Sequence, residues 1–169
     1  IDMGLDDVSM EVVGDFDAMY LEGIRLFRKF GKCATIKVPC TQDGLRVCRE
    51  LSRDLVNVNV TLIFSPAQAI LAAKAGAKYV SPFVGRVDDN SFDGIDLVDQ
   101  ISDIYTIQNI RKTEILAASV RDVKTVSDAF GAGAHVVTMP PSILEKMYNH
   151  VLTDRGLYQF DMDWAKVKR

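Results

Sequence analysis

The chain has 169 residues, long enough for one domain with a hydrophobic core, and its 48% hydrophobic and 25% charged residues are ordinary for a globular protein. A net charge of −3 and a pI near 5.4 argue against nucleic acid or an anionic membrane as a partner. No apolar run approaches the roughly 20 residues that span a bilayer.

In chain order, the sequence predicts a strand at 8–13 (VSMEVV), then a helical segment that opens at Asp15 and stops at Gly31. Strands follow at 34–39 (ATIKVP) and 58–64 (VNVTLIF). The clearest helix comes next: Ser65 can cap it, Pro66 suits its first position, and Gly76 suits the turn after its end. A fourth strand is expected at 79–84 (YVSPFV), a fifth at 114–120 (EILAASV) and a sixth at 134–140 (AHVVTMP), with a helix from Asp122 to Gly131 between the last two. A final helical stretch near 159–167 carries Phe160 and Trp164. Nothing reads as a linker, so a single domain over 1–169 is expected.

Three cysteines, Cys33, Cys40 and Cys48, fall at no metal-ligand spacing and read as reduced thiols of a cytoplasmic protein. His135 sits in an apolar run and reads as a packed residue; with His150 it makes too few histidines for a histidine-rich metal site. No metal and no cofactor is called for.

Strand and helix alternation predicts parallel strands joined by right-handed crossovers. An open doubly wound sheet and a closed (β/α)8 TIM barrel share that pattern. No G-x-G-x-x-G follows a strand, which removes the best support for the first. Parity supports the second. Side chains alternate faces along a strand. Ser9 and Glu11, Thr35 and Lys37, and Asn57, Asn59 and Thr61 then share one face, which Ser81 and Ser119 join. Met10, Val12, Ile36, Val38, Val58, Val60, Leu62 and Phe64 take the other. Apolar faces toward outer helices and a polar set around a common axis suit a catalytic barrel. Six strands are read where a barrel has eight. The start at Ile1, directly before a strand, places the two absent βα units at the N-terminus as an expectation.

Lys37 is the sharpest chemical signal. Burying a charge is costly, desolvation favours a neutral amine, and a neutral amine attacks carbonyls. Glu11, on the neighbouring strand, can pass protons through a water; the alternative is a structural ion pair with Lys37. Asn59, Thr61, Ser81 and Ser119 supply neutral donors and acceptors of the kind that polyols need. Arg86 and Arg121 follow strand ends, where arginine can hold a phosphate bidentately.

The stretches KYVSPFVGRVDD (78–89), TIKVPCTQDGL (35–45), NVNVTLIFSPAQA (57–69), EILAASVR (114–121) and HVVTMPPSILEKM (135–147) resemble the transaldolase family, in order and at family spacing. The resemblance implies a (β/α)8 barrel that moves a dihydroxyacetone unit between sugar phosphates without a cofactor. Lys37 matches the Schiff-base lysine and Glu11 the acid/base glutamate. Asn59, Thr61, Ser81 and Ser119 match residues that orient the substrate or the catalytic water. Arg86, Ser119 and Arg121 match the phosphate-binding set. Phe83 bears on the choice within the family, because the fructose-6-phosphate aldolase relatives carry Tyr there and Gln at the position of Glu11. A homo-oligomeric ring, a decamer being one form, is also implied, with the terminal helix lying across a neighbour.

Two elements of the family pattern have no match: an aspartate on its first strand and a Thr-Asn segment near its second. Asp2, Asp6 and Asp7 precede the first strand read here and do not correspond to that aspartate. The expectation is therefore a transaldolase, with a fructose-6-phosphate aldolase or a non-catalytic fragment as the alternatives.

Overall fold

The computed structural model describes residues 4–167. Six strands, β1 (Val8–Glu11), β2 (Ala34–Pro39), β3 (Asn57–Ile63), β4 (Tyr79–Pro82), β5 (Glu114–Ala117) and β6 (Val136–Val137), form one parallel sheet in the order β1-β2-β3-β4-β5-β6. The helices are α1 (Phe16–Phe30), α2 (Gln42–Arg53), α3 (Pro66–Ala75), α4 (Val84–Asp89), α5 (Gly94–Ile107), α6 (Val123–Gly131), α7 (Pro141–Met147) and α8 (Val151–Val167).

Strictly sequential order separates the two α/β architectures. A doubly wound sheet reverses its order at a switch point and carries helices on both faces. Here each crossover advances one strand in the same direction, so the helices collect on one face. Ile36, Val38, Val58, Val60, Val80, Ile115 and Ala117 point to that face and are fully buried. They pack in one core with Met19, Val47, Leu51, Ala72 and Ile101 from the helices. Each such side chain contributes about 1.5–3 kcal/mol of burial.

The sheet is curled toward its polar face. In a flat sheet, three spacings of about 4.8 Å would separate β1 from β4. Yet Asp7, just before β1, bonds Lys78 Nζ at 2.7 Å and Tyr79 Oη at 3.0 Å at the start of β4. Ser9 of β1 likewise meets Asn59 of β3 across β2, at 3.3 Å. The result is an α/β half-barrel with its helices outside.

Several helix ends form as their residues predict. Asp15, Ser65 and Asp122 accept from the backbone amides of Ala18, Gln68 and Thr125, and Gly76 closes α3 with φ +96°. Thr41 and Asp93 cap α2 and α5, which the sequence reading left unassigned.

Other expectations are corrected. The edge strands β1 and β6 are shorter than 8–13 and 134–140, because each has a hydrogen-bonding neighbour on one side only. Leu62, with φ +59°, inserts a bulge: Val60 pairs with Val80 but Ile63 with Pro82. Parity flips there, so Ile63 enters the core while Phe64, expected under the helices, is 45% exposed. Helix α8 starts at Val151 rather than near 159, and none of its described residues is buried. His135 is exposed rather than packed, its Nδ1 accepting from the Ile115 amide at 3.1 Å. All three thiols are free, and burial pushes the Cys48 thiol up to about 12, so it stays protonated and unreactive at neutral pH. Among the described residues, no helix is long and apolar enough to cross a membrane.

Candidate active site

Strand register builds the site. Glu11 pairs with Lys37 across β1 and β2, and Lys37 with Asn59 across β2 and β3. One rung of three parallel strands therefore carries a carboxylate, an amine and an amide, all on the face away from the helices. Ser81 joins them from β4. Its hydroxyl donates to Asn59 Oδ1 at 2.7 Å, and Asn59 Nδ2 donates to Ser9 Oγ at 3.3 Å. This chain of bonds satisfies buried Asn59 and Ser81 and holds the amide in one orientation beside the lysine.

Lys37 Nζ lies 3.4 Å from Glu11 Oε2. The separation is long for a charged hydrogen bond, so the pair is in contact without being clamped. A lysine on an inward strand face can either be buried or reach solvent, and here its side chain is 25% exposed and that of Glu11 is 53% exposed. The curled sheet leaves this face open on the β1 side, where the ion pair meets solvent. Lys37, Glu11, Ser9, Asn59 and Ser81 wall a cleft of about 270 Å³ with Leu116, Ala118 and Thr138. A larger groove of about 480 Å³ lies elsewhere, between Phe64, Pro66, Arg86, Phe92 and Leu97. It brings no amine together with a carboxylate, which leaves the smaller cleft as the candidate site.

Thr61 lies two residues beyond Asn59 on β3, opposite Pro39, and is fully buried. Its Oγ1 has no partner among the described residues, a cost of about 1–3 kcal/mol for a buried hydroxyl.

Ser119 does not share the strand face expected for it. Strand β5 ends at Ala117, one more bridge joins Ala118 to Phe83, and Ser119 then turns with φ +60°. It borders a neighbouring groove of about 450 Å³ with Val120, Arg121, Thr138, Met139 and Pro140. Thr138 belongs to both walls, so the groove adjoins the lysine cleft. Gly85 makes this packing possible: a Cβ there would lie 2.2 Å from the Ser119 carbonyl oxygen.

Arg121 forms a two-pronged ion pair with Asp89, Nη1 to Oδ1 at 2.5 Å and Nη2 to Oδ2 at 2.6 Å. These bonds, with the charge of Arg121 and further that of Arg86, hold the Asp89 carboxyl below its usual range. The Arg86 guanidinium lies 4.8 Å from the centre of the Phe83 ring, which meets Phe64 edge to face at 5.9 Å. Phe83 is not one of the described residues that wall the lysine cleft.

The structure thus gathers Lys37, Glu11, Asn59 and Ser81. It places Thr61 further along the same strand, sets Phe83, Ser119 and Arg121 just beyond strand ends, and puts Arg86 in helix α4. Sequence reasoning did not assign Ser9, Thr138 or Asp89 to the site. Ser9 shares parity with Glu11, Thr138 is the one polar residue in VVTMP, and Asp89 follows Arg86 by three residues, so each left a weak signal.

Known proteins are similar in sequence over most of the chain. Residues 4–169 match the family model described as Transaldolase/Fructose-6-phosphate aldolase. A "Probable transaldolase" of Nitrosopumilus maritimus is 55% identical over 163 residues, covering 96% of this chain and 73% of the relative. Proteins of the same description are similar in Paracoccus denitrificans, at 54% identity over 95% of this chain and 73% of the relative, and in Coprothermobacter proteolyticus, at 46% with the same coverage. The chain belongs to the transaldolase/fructose-6-phosphate aldolase family.

Proposed function

We infer that the chain is a cytoplasmic transaldolase domain of an eight-stranded barrel. It moves a dihydroxyacetone unit from sedoheptulose 7-phosphate to glyceraldehyde 3-phosphate, through an imine on Lys37. The observation that carries this reading is the single rung in which Lys37 stands between Glu11 and Asn59, with its amine 3.4 Å from the carboxylate.

The chemistry follows from those groups. The Lys37 amine adds to the C2 carbonyl of the ketose to give a carbinolamine. A proton passed from Glu11 through water lets its hydroxyl leave as water, forming the iminium. The positive nitrogen then draws the electron pair of the C3–C4 bond as that bond breaks, while the C4 hydroxyl gives its proton through water to the Glu11 carboxylate, which returns it to the acceptor aldehyde oxygen in the addition step. An aldose phosphate departs, and a dihydroxyacetone enamine stays on the lysine. Attack of the enamine carbon on the acceptor aldehyde forms a new C–C bond, and water hydrolyses the resulting iminium, restoring the amine. Ser9, Asn59, Ser81 and Thr61 supply the hydroxyl and amide partners for the sugar hydroxyls and the water. Ser119, Arg86 and Arg121 hold the phosphate. Transfer is favoured over aldol cleavage because Phe83 brings no hydroxyl to protonate the enamine. The protein works as a homo-oligomeric ring, with exposed α8 as the element available to cross onto a neighbour.

Borohydride reduction in the presence of fructose 6-phosphate tests the central step. The imine should be fixed as a stable secondary amine, and peptide mapping should find the adduct on Lys37. An adduct on another lysine, or none, overturns the reading.

A further inference from the structure

We propose that Asp89 is a positioning residue for the phosphate site, holding the Arg121 guanidinium by its tip so that the side chain stays at the groove it borders with Ser119. The proposal rests on the phosphate role given above to Arg121.

A guanidinium has two two-pronged edges, one formed by Nη1 and Nη2 and one that includes Nε. Asp89 takes the first of these with both carboxylate oxygens. The Nε side is not used by Asp89. Arg121 Nε lies 3.0 Å, and Ser119 Oγ 3.2 Å, from the point where a Cβ on residue 85 would stand. The Ser119 carbonyl, 2.2 Å from that same point, leaves no room for a side chain there. Glycine at 85 therefore lets a cationic N–H and a hydroxyl converge. Arg121 and Ser119 both border the groove that adjoins the lysine cleft through Thr138, and Asp89 is not among the described residues that wall that groove.

An arginine side chain that is 55% exposed would otherwise sample many rotamers, and fixing it on binding would cost entropy. Asp89 bears that ordering in the free protein, so the ligand does not. A carboxylate placed in the groove itself would have the opposite effect, because it would compete with the phosphate dianion for the same edge. The two arrangements predict opposite signs.

Asp89→Asn decides between them, because an amide keeps the shape but offers one acceptor oxygen and so breaks the two-pronged pair. The readout is borohydride trapping at Lys37 as a function of ketose concentration, for fructose 6-phosphate and for unphosphorylated dihydroxyacetone. Expected is a rise of about two- to fivefold in the half-saturating fructose 6-phosphate concentration, the size of an exposed ion pair. The plateau should stay unchanged, and the dihydroxyacetone curve should superimpose on that of the parent. Adding Asp89→Asn to Arg121→Ala should change nothing further. An unchanged fructose 6-phosphate curve, or a lower half-saturating concentration, overturns the proposal. Arg121→Ala separates the two readings. If it weakens both ketoses equally, the phosphate role itself fails. If it is selective while Asp89→Asn is silent, only the role of Asp89 fails.

Discussion

Replacing Asp7 by alanine should destabilise the fold while sparing the chemistry. Asp7 lies at the N-terminal end of the strands, on the polar side of the curl. Its Oδ1 accepts from Thr35 Oγ1 at 2.6 Å, and its Oδ2 accepts from Lys78 Nζ at 2.7 Å and Tyr79 Oη at 3.0 Å. Thr35 is fully buried, so its hydroxyl would be left without a partner, at about 1–3 kcal/mol. The ion pair with Lys78 is partly exposed and adds about 0.2–1 kcal/mol after screening. Together these give a loss of about 2 kcal/mol, or roughly 4–8 °C in Tm for a chain of this size. Urea denaturation followed by circular dichroism measures it. Thr35→Val in the Asp7→Ala background should recover most of the loss, because removing both partners of a buried bond is nearly neutral. Asp7→Ala within about 0.5 kcal/mol of the parent, the range of ordinary surface changes, would refute the reasoning.

The same network sets a pH dependence. Burial pushes the Asp7 carboxyl up, but its bonds to Lys78, Thr35 and Tyr79 outweigh burial, and the carboxyl lies below the ordinary aspartate value of 3.8. A carboxyl depressed in the folded state binds protons more readily when unfolded. Its contribution is therefore full at pH values above 3.8 and is lost as pH falls through the lower folded value. The parent should lose stability in that acid window, and Asp7→Asn should lack that part of the slope. Trapping at Lys37 should match the parent in both variants, because Asp7, Thr35, Lys78 and Tyr79 are not among the described residues that wall the lysine cleft.

Two further outcomes bear on the site. Arg86→Ala should weaken trapping with fructose 6-phosphate by about 1.5–3 kcal/mol, roughly 10- to 150-fold in half-saturating concentration, and hardly affect dihydroxyacetone; equal losses would remove Arg86 from the phosphate site. Phe83→Tyr should shift the products toward free dihydroxyacetone and away from transfer to erythrose 4-phosphate, and a parent that releases mostly free dihydroxyacetone with acceptor present would replace the transaldolase reading by the aldolase one.

The legible part of this molecule is the part that a strict period of two governs. Over 8–11, 34–38 and 57–60 the polar and apolar residues alternate without interruption. Parity alone placed Glu11, Lys37 and Asn59 on one face, and register then set them on one rung. Helix stops were legible for a similar reason: Ser65, Pro66 and Gly76 each act on their own backbone. What was not legible begins where a residue leaves the strand conformation. Leu62 and Ser119 both have φ near +60°, which glycine tolerates readily and which neither leucine nor serine advertises. After Leu62 the face assignment inverts and Phe64 comes to the surface. At Ser119 the chain leaves the sheet, so a serine that counts as inward by parity lies in the adjoining groove with Arg121. Curvature was expected as part of a barrel, but which residues it brings into contact is a property of the whole sheet. Only the curl brings Asp7 to Lys78 and Ser9 to Asn59, pairs more than 40 residues apart with no shared pattern. The rung of Glu11, Lys37 and Asn59 needs register alone, whereas the groove of Ser119 and Arg121 needs the positive-φ turn at Ser119 and the glycine at 85 beside it. The rung should therefore tolerate changes at Ser119 that the groove does not.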